Sequence, residues 1–244
     1  MPDLAVAFSE IHRALHDDLL GASPQQWAAS IPIRPPWTVQ DTVAMLAGFA
    51  GALISGRWTE DFSDSWSDPA IRDHLHDTLE GLIAERRGRS GDELLKEWDE
   101  HSAKLERMMA GEEPFPTGTH PFVAWSYLWA VVQNSYNVWA AMGITKTRNF
   151  KATILCLESA VMWLDMRLQA TGKPALRLRA GTTEWVVGDG APAATVTAPA
   201  FELFRALSGR RSLEQIRAFD WDGEAGEFLD VISPFEPPKA AFVE

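Results

Sequence analysis

The side chains able to do chemistry in this chain are few and scattered. His12 and His16 are four residues apart. On a helix that spacing puts both imidazoles on one face, where they could offer two nitrogens to a divalent ion, with Asp17 close by. The same pair also reads as a half-exposed helix face, and that is the expectation taken. His74 and His76 are two residues apart and would point to opposite sides of a helix, so they make no ligand pair. His101 and His120 are single and are expected on surface or loop. Cys156 is the one cysteine, which excludes an internal disulfide and a zinc–thiolate cluster. Tryptophan is abundant, with 11 residues, and Trp125, Trp129, Trp139 and Trp163 crowd one segment. They read either as a Trp-rich helical core or as an aromatic-lined pocket for a flat, greasy ligand.

The elements that must position these residues are mostly helices. Leu4, Phe8, Ile11, Leu15 and Leu19 recur at three- and four-residue steps and predict a first helix over 3–20, ended by Gly21-Ala22-Ser23-Pro24. Thr38 with Asp41 is a near capping box and opens a helix reaching about Ser55. The stretch 57–68, with Trp58, Phe62 and Trp66, reads as an irregular loop or lid. A helix is expected over 69–87, and another begins at the Ser90/Glu93 capping box. Pro121 marks the start of an almost wholly apolar helix that stops at Gly143. One more helix spans about 149–170.

Past Gly172 the pattern changes. Leu176-Arg177-Leu178-Arg179 alternates with period two, and Glu184–Val187 and Thr195–Thr197 are further short strands. Pro199 opens a helix, Ser212 with Gln215 caps a second, and the proline-bearing tail 234–244 reads as a surface arm. The fold class expected is α+β: a helical part over 1–172 and a small α/β part over 173–244.

Composition narrows the function. Apolar residues make up 46% of the 244 and charged residues 23%, enough apolar content for a buried core. The formal net charge is -12, which argues against nucleic acid, since binding it requires a basic surface. The only dense basic runs, Arg86-Arg87-Gly88-Arg89 and Arg210-Arg211, are short and are expected to be solvated. No apolar run is long enough to span a bilayer, and no secretory leader is evident. The expectation is a cytoplasmic protein with no membrane partner.

Local strings then bring a family into view. Trp37-Thr38-Val39-Gln40-Asp41 resembles the Trp-x-Val-x-Asp helix opening of the mycothiol-dependent maleylpyruvate isomerase (DinB-like) family. Arg86-Arg87-Gly88-Arg89-Ser90 leading to Leu94-Leu95-Lys96-Glu97-Trp98 is similar to a stretch of many actinobacterial members. Gly209-Arg210-Arg211-Ser212, Phe219-Asp220-Trp221-Asp222-Gly223 and Ser233-Pro234-Phe235 look like their C-terminal signature. The resemblance implies a four-helix-type bundle followed by a sterol-carrier-like α/β unit.

The resemblance also implies a zinc-type ion in the bundle, held by a His four residues after the helix-opening Asp and by an acid, a His and a second acid on a later helix. In this chain those positions are Met45, Ala130, Asn134 and Asn137. Thioether, methyl and neutral amides are poor zinc ligands, so no metal and no other cofactor is expected. What the resemblance leaves is a pocket lined by Trp37, Met45, Tyr127, Ala130, Asn134 and Asn137. Asn134 and Asn137 are the candidate catalytic residues, able to donate to a developing oxyanion or accept from a hydroxyl. Arg210 is a candidate for binding an anionic group. The reading preferred is a metal-independent enzyme that isomerises or cyclises a small hydrophobic molecule, in natural-product biosynthesis. Two others stay open: a non-catalytic small-molecule-binding protein, and a mycothiol-dependent enzyme without metal. A homodimer is also admitted.

Overall fold

The structure, a computed structural model, describes residues 2–58, 68–120 and 122–244. By compactness it divides into two units, Met1–Ala152 together with Glu244, and Thr153–Val243.

In the first unit the long helices are α1 (Pro2–Leu20), α3 (Val39–Ile54), α4 (Pro69–Ala84), α5 (Gly91–Ala110) and α6 (Val123–Met142). A one-turn helix, α2 (Pro24–Trp27), lies between α1 and α3. Helix α1 packs on α5 and α6, and α3 packs on α5, α4 and α6, so α1, α3, α5 and α6 form the bundle and α4 flanks it on α3. Each entry is fixed locally. Thr38 Oγ1 accepts from the Asp41 amide while the Asp41 carboxylate accepts from the Thr38 amide, and Ser90 with Glu93 makes the same reciprocal pair. Gly111 and Gly143 end α5 and α6 at φ +84° and +71°, the left-handed region where a Cβ is costly. Phe62 and Trp66 of the expected lid, and Pro121, lie outside the described residues.

Helix α2 was not anticipated. Ser23 and Gln26 form a capping box around Pro24, a signal masked by Gly21 and Pro24, which read as a stop. A second close fit joins α3 to α4. A Cβ on Gly48 would stand 2.7 Å from Arg86 Nη1 and 2.9 Å from Leu82 Cβ. Gly48→Ala should therefore lower stability by about 1–2 kcal/mol, because overpacking outweighs the helix propensity gained. A lowered urea midpoint with an unchanged slope is the expected reading.

The second unit holds α7 (Lys151–Thr171, from Thr153 onward) and a four-stranded mixed sheet of β1 (Leu176–Ala180), β2 (Thr183–Val187), β3 (Ala194–Thr197) and β4 (Asp220–Asp222), in the order β2-β1-β3-β4. Strand β1 pairs antiparallel with β2 and parallel with β3, and β4 closes antiparallel on β3. Helices α8 (Ala200–Leu207) and α9 (Leu213–Arg217) follow β3, and α8 packs on β1. Leu176, Leu178, Ala194 and Val196 alternate inward, the period of a half-buried sheet.

The composition change at Gly172 is thus not where compactness divides the chain. Helix α7 is held to the sheet unit by its own side chains. Asp165 accepts from the Gly188 amide at 2.7 Å, and Arg167 donates to the Val231 and Ile232 carbonyls at 2.8 and 2.9 Å. Strand β4, anticipated only as a motif, carries Trp221, whose Nε1 donates to the Ile216 carbonyl. The tail is not a free surface arm either. Phe242 is buried, and its amide and carbonyl exchange hydrogen bonds with the Gln215 side chain.

Candidate functional site

Helix α6 is buried nearly all round from Val131 to Trp139, so its polar side chains are held among apolar neighbours. Asn134 is 5% exposed and Asn137 is fully buried. The Asn134 Nδ2 donates to the Ala130 carbonyl one turn back at 2.8 Å, which fixes the amide orientation and leaves Oδ1 facing Asn137, whose Nδ2 donates to it at 3.5 Å. The two candidate catalytic amides are therefore coupled on one helix face. Ala130 is half-buried at the start of that face. Met45 is buried on α3, one turn past the Asp41 cap.

The other aromatic candidates are built into the frame. Tyr127 is fully buried. Its hydroxyl accepts from Trp98 Nε1 at 2.9 Å and donates to the Leu46 carbonyl at 3.1 Å. Burial pushes that hydroxyl well above its ordinary pKa, so it stays protonated and holds α5, α6 and α3 together. Trp37 is buried with its Nε1 donated to Glu80, and the Arg34 guanidinium lies 4.2 Å over its ring. Trp139 donates to Asp18 and stacks on Phe150 at 5.7 Å. It belongs to the aromatic core rather than to an open wall. Arg210 lies in the second unit, where its Nη1 donates to the Ser208 carbonyl at 2.9 Å.

Three sequence expectations are corrected here. The basic runs are not simply solvated. Arg86 is 6% exposed and grips Glu97 through Nε and Nη2 at 3.1 and 2.8 Å, and Arg211 is 2% exposed and grips Glu202 at 2.6 and 3.1 Å. His101 is half-buried on α5 rather than freely exposed or on a loop. Its Nδ1–H donates to the Ala47 carbonyl at 3.0 Å and its ring covers Gly51, where a Cβ would meet it at 2.8 Å. His12 is not half-exposed. It is 5% exposed, stacked on Phe8 and set edge-on to Trp98 at 4.5 Å. Burial lowers its pKa to about 4.

Cys156 is buried and its thiol pKa is raised by that burial, so it is a packed side chain rather than a nucleophile. Among the described residues no helix is long and apolar enough to cross a membrane. Nor is there, among them, a group of three or more His, Cys, Asp or Glu side chains that could hold a metal ion.

Four long helices around a buried polar face on α6, entered through a Thr38/Asp41 capping box on α3, define a DinB-like bundle. Residues 8–133, more than half of the chain, match the family described as "Mycothiol maleylpyruvate isomerase N-terminal domain", and the chain belongs to that family. Two solved structures share its fold, the mycothiol-dependent maleylpyruvate isomerase and a histidine-to-alanine mutant of it. Each matches at 14% identity with a TM-score of 0.56, over 96% of this chain and 95% of that one. No curated protein matches.

The side chains at the positions that the resemblance assigns to a metal do not suit a zinc-type ion. Met45 offers a buried thioether and Ala130 no donor at all. Asn134 and Asn137 offer only neutral amides, which are weak ligands; one Asn134 N–H donates to the Ala130 carbonyl and its oxygen accepts from Asn137. Zinc is held by thiolate, imidazole and carboxylate, and this set contains none.

Proposed function

We propose that this chain is an enzyme of the maleylpyruvate isomerase type whose reaction does not run through a bundle metal, and that it rearranges a small hydrophobic molecule by isomerisation or cyclisation. The observation that carries the reading is the coupled amide pair. Asn134 is held rigid by the Ala130 carbonyl and Asn137 is turned toward it, in a buried setting where a hydrogen bond is electrostatically stronger than in water. Such a pair can hold a carbonyl or hydroxyl in one orientation and stabilise charge that develops on it. The rate gain comes from positioning and from exclusion of water. A place in natural-product biosynthesis fits a site specialised for shape rather than for metal chemistry.

The test restores and removes donors. The Met45→His, Ala130→Glu, Asn134→His triple variant should gain one zinc ion per chain relative to wild type. Asn134→Ala should lose none. Maleylpyruvate, the substrate in the name of the structural relatives, is offered first with a panel of apolar analogues, each with and without mycothiol and chelator. Turnover should be indifferent to chelator, and Asn137→Ala should cut kcat by about 10²-fold. A wild-type zinc ion that disappears in Asn134→Ala, or turnover that requires added zinc, overturns the reading.

A further inference from the structure

The outer face of the sheet in the second unit carries a cluster of donors that the amide pair on α6 does not use. Along β1, Leu176 and Leu178 are buried, so Arg177 and Arg179 turn outward. The register sets Thr195 beside Arg177 and Thr197 beside Arg179 on β3, with Val186 and Glu184 beside them on β2. Ala194 and Val196 are buried, so the two threonines share the arginines' face. From this placement we propose that Arg177, Arg179, Thr195 and Thr197 bind the phosphoryl group of a small phosphomonoester.

Glu184 holds both guanidiniums at the Nε end. Arg179 Nε donates to Oε2 at 2.7 Å, and Arg177 Nε stands 3.1 Å from Oε1 as an ion pair. Among the described residues, the terminal nitrogens of both arginines and both threonine hydroxyls make no hydrogen bond. Terminal guanidinium N–H groups match phosphate oxygens in pairs. Two such forks with two hydroxyls exceed what the two oxygens of a carboxylate can accept, and suit the three terminal oxygens of a phosphoryl group. Anchoring at Nε lowers the rotamer freedom lost on binding. Two guanidiniums against one carboxylate leave one positive charge uncompensated.

The other acids on this face are Asp220 and Asp222 of β4, which is registered on β3. They stand two strand spacings from β1, about 9–10 Å. That exceeds a Debye length of about 8 Å at physiological salt, so their repulsion of an anion held at β1 is largely screened. Val186 selects the ester. It is 49% exposed directly opposite Arg177, and it offers apolar contact to a carbon skeleton and nothing to a free phosphate ion.

The experiment titrates the full chain with phenyl phosphate and with inorganic phosphate, read by calorimetry. The expected result is one saturable phenyl phosphate per chain, bound more tightly than inorganic phosphate. Arg177→Gln and Arg179→Gln should each weaken phenyl phosphate at least about tenfold, and Arg179→Lys should recover only part of the loss, because an ammonium keeps the charge without the fork. Arg13→Gln removes the same charge from an exposed arginine of α1 and should leave the affinity unchanged. Val186→Ser should narrow the gap between the two probes. The substituted side chains are at least about one-third exposed, and far-ultraviolet circular dichroism checks that each variant keeps the fold. Absence of saturable binding, binding indifferent to both Arg177→Gln and Arg179→Gln, or an equal loss in Arg13→Gln overturns the inference. Equal affinity for the two probes overturns the choice of an ester over the free ion.

Discussion

Replacing Glu97 by alanine is expected to remove about 3–5 kcal/mol of stability. Glu97 takes two hydrogen bonds from Arg86 and a third from Arg89 at 2.6 Å. Arg86 is buried, and its Nη1 is tied to the Leu82 carbonyl, so the guanidinium cannot swing out to water when its partner is cut away. Cutting Glu97 away leaves the buried guanidinium only the half-exposed Glu85 carboxylate at 3.3 Å, and a poorly compensated buried charge costs far more than a lost surface ion pair, which contributes about 0–1 kcal/mol. Two comparisons isolate the cause. Arg89→Ala, at the exposed end of the same carboxylate, should cost under about 1 kcal/mol. The double change Arg86→Met with Glu97→Leu should recover much of the loss, because it removes both charges together. Equilibrium urea unfolding reads all three, and equal losses for Glu97→Ala and Arg89→Ala would contradict the account.

The second large effect is on pH. His12 has a folded-state pKa of about 4 against an ordinary 6.5, chiefly through burial, with His16 and Arg13 adding to the shift and Asp99 and Asp17 opposing it. The unfolded chain therefore takes up a proton more readily than the folded one. The stability tied to neutral His12 is fully present above about pH 6.5, and it drains away as pH falls toward about 4. A shift of this size corresponds to about 3 kcal/mol. Stability measured with chelator present at pH 7.5, 5.5 and 4.5 should fall steeply across that window in wild type. In His12→Leu the slope should flatten. Parallel profiles for the two proteins would show that His12 is not the group responsible.

Both effects come from residues whose importance was invisible locally, and that marks where the sequence stops being readable. The helix entries were legible because a capping box is complete within four residues, as at Thr38/Asp41, Ser90/Glu93 and Ser212/Gln215. The strands were legible from alternation, and the bundle from the stripe on α1. Arg86 and Arg211 were misjudged because their carboxylate partners lie eleven and nine residues away, beyond any local pattern. His12 sits beside the apolar stripe, and only its stacking on Phe8 and its edge-on contact with Trp98 of α5 settle that it is inside. His101 reads as surface until its bond to Ala47, 54 positions away, is seen. The candidate site was located by resemblance rather than by spacing. Its hydrogen-bond state, with Asn134 locked on Ala130, depends on side-chain rotamers that no linear pattern encodes.

The attachment of α7 to the sheet has a consequence for how such chains can be recombined. A gene join placed where the composition changes, at residue 172, looks safe on paper. It would carry away Asp165 and Arg167, leaving the Gly188 amide and the carbonyls of Val231 and Ile232 without the partners that now satisfy them. A join near residue 152 keeps helix and sheet together. The heritable module at this end of the chain is a helix with its sheet, and chimaeras exchanged between relatives should tolerate the earlier seam and fail at the later one.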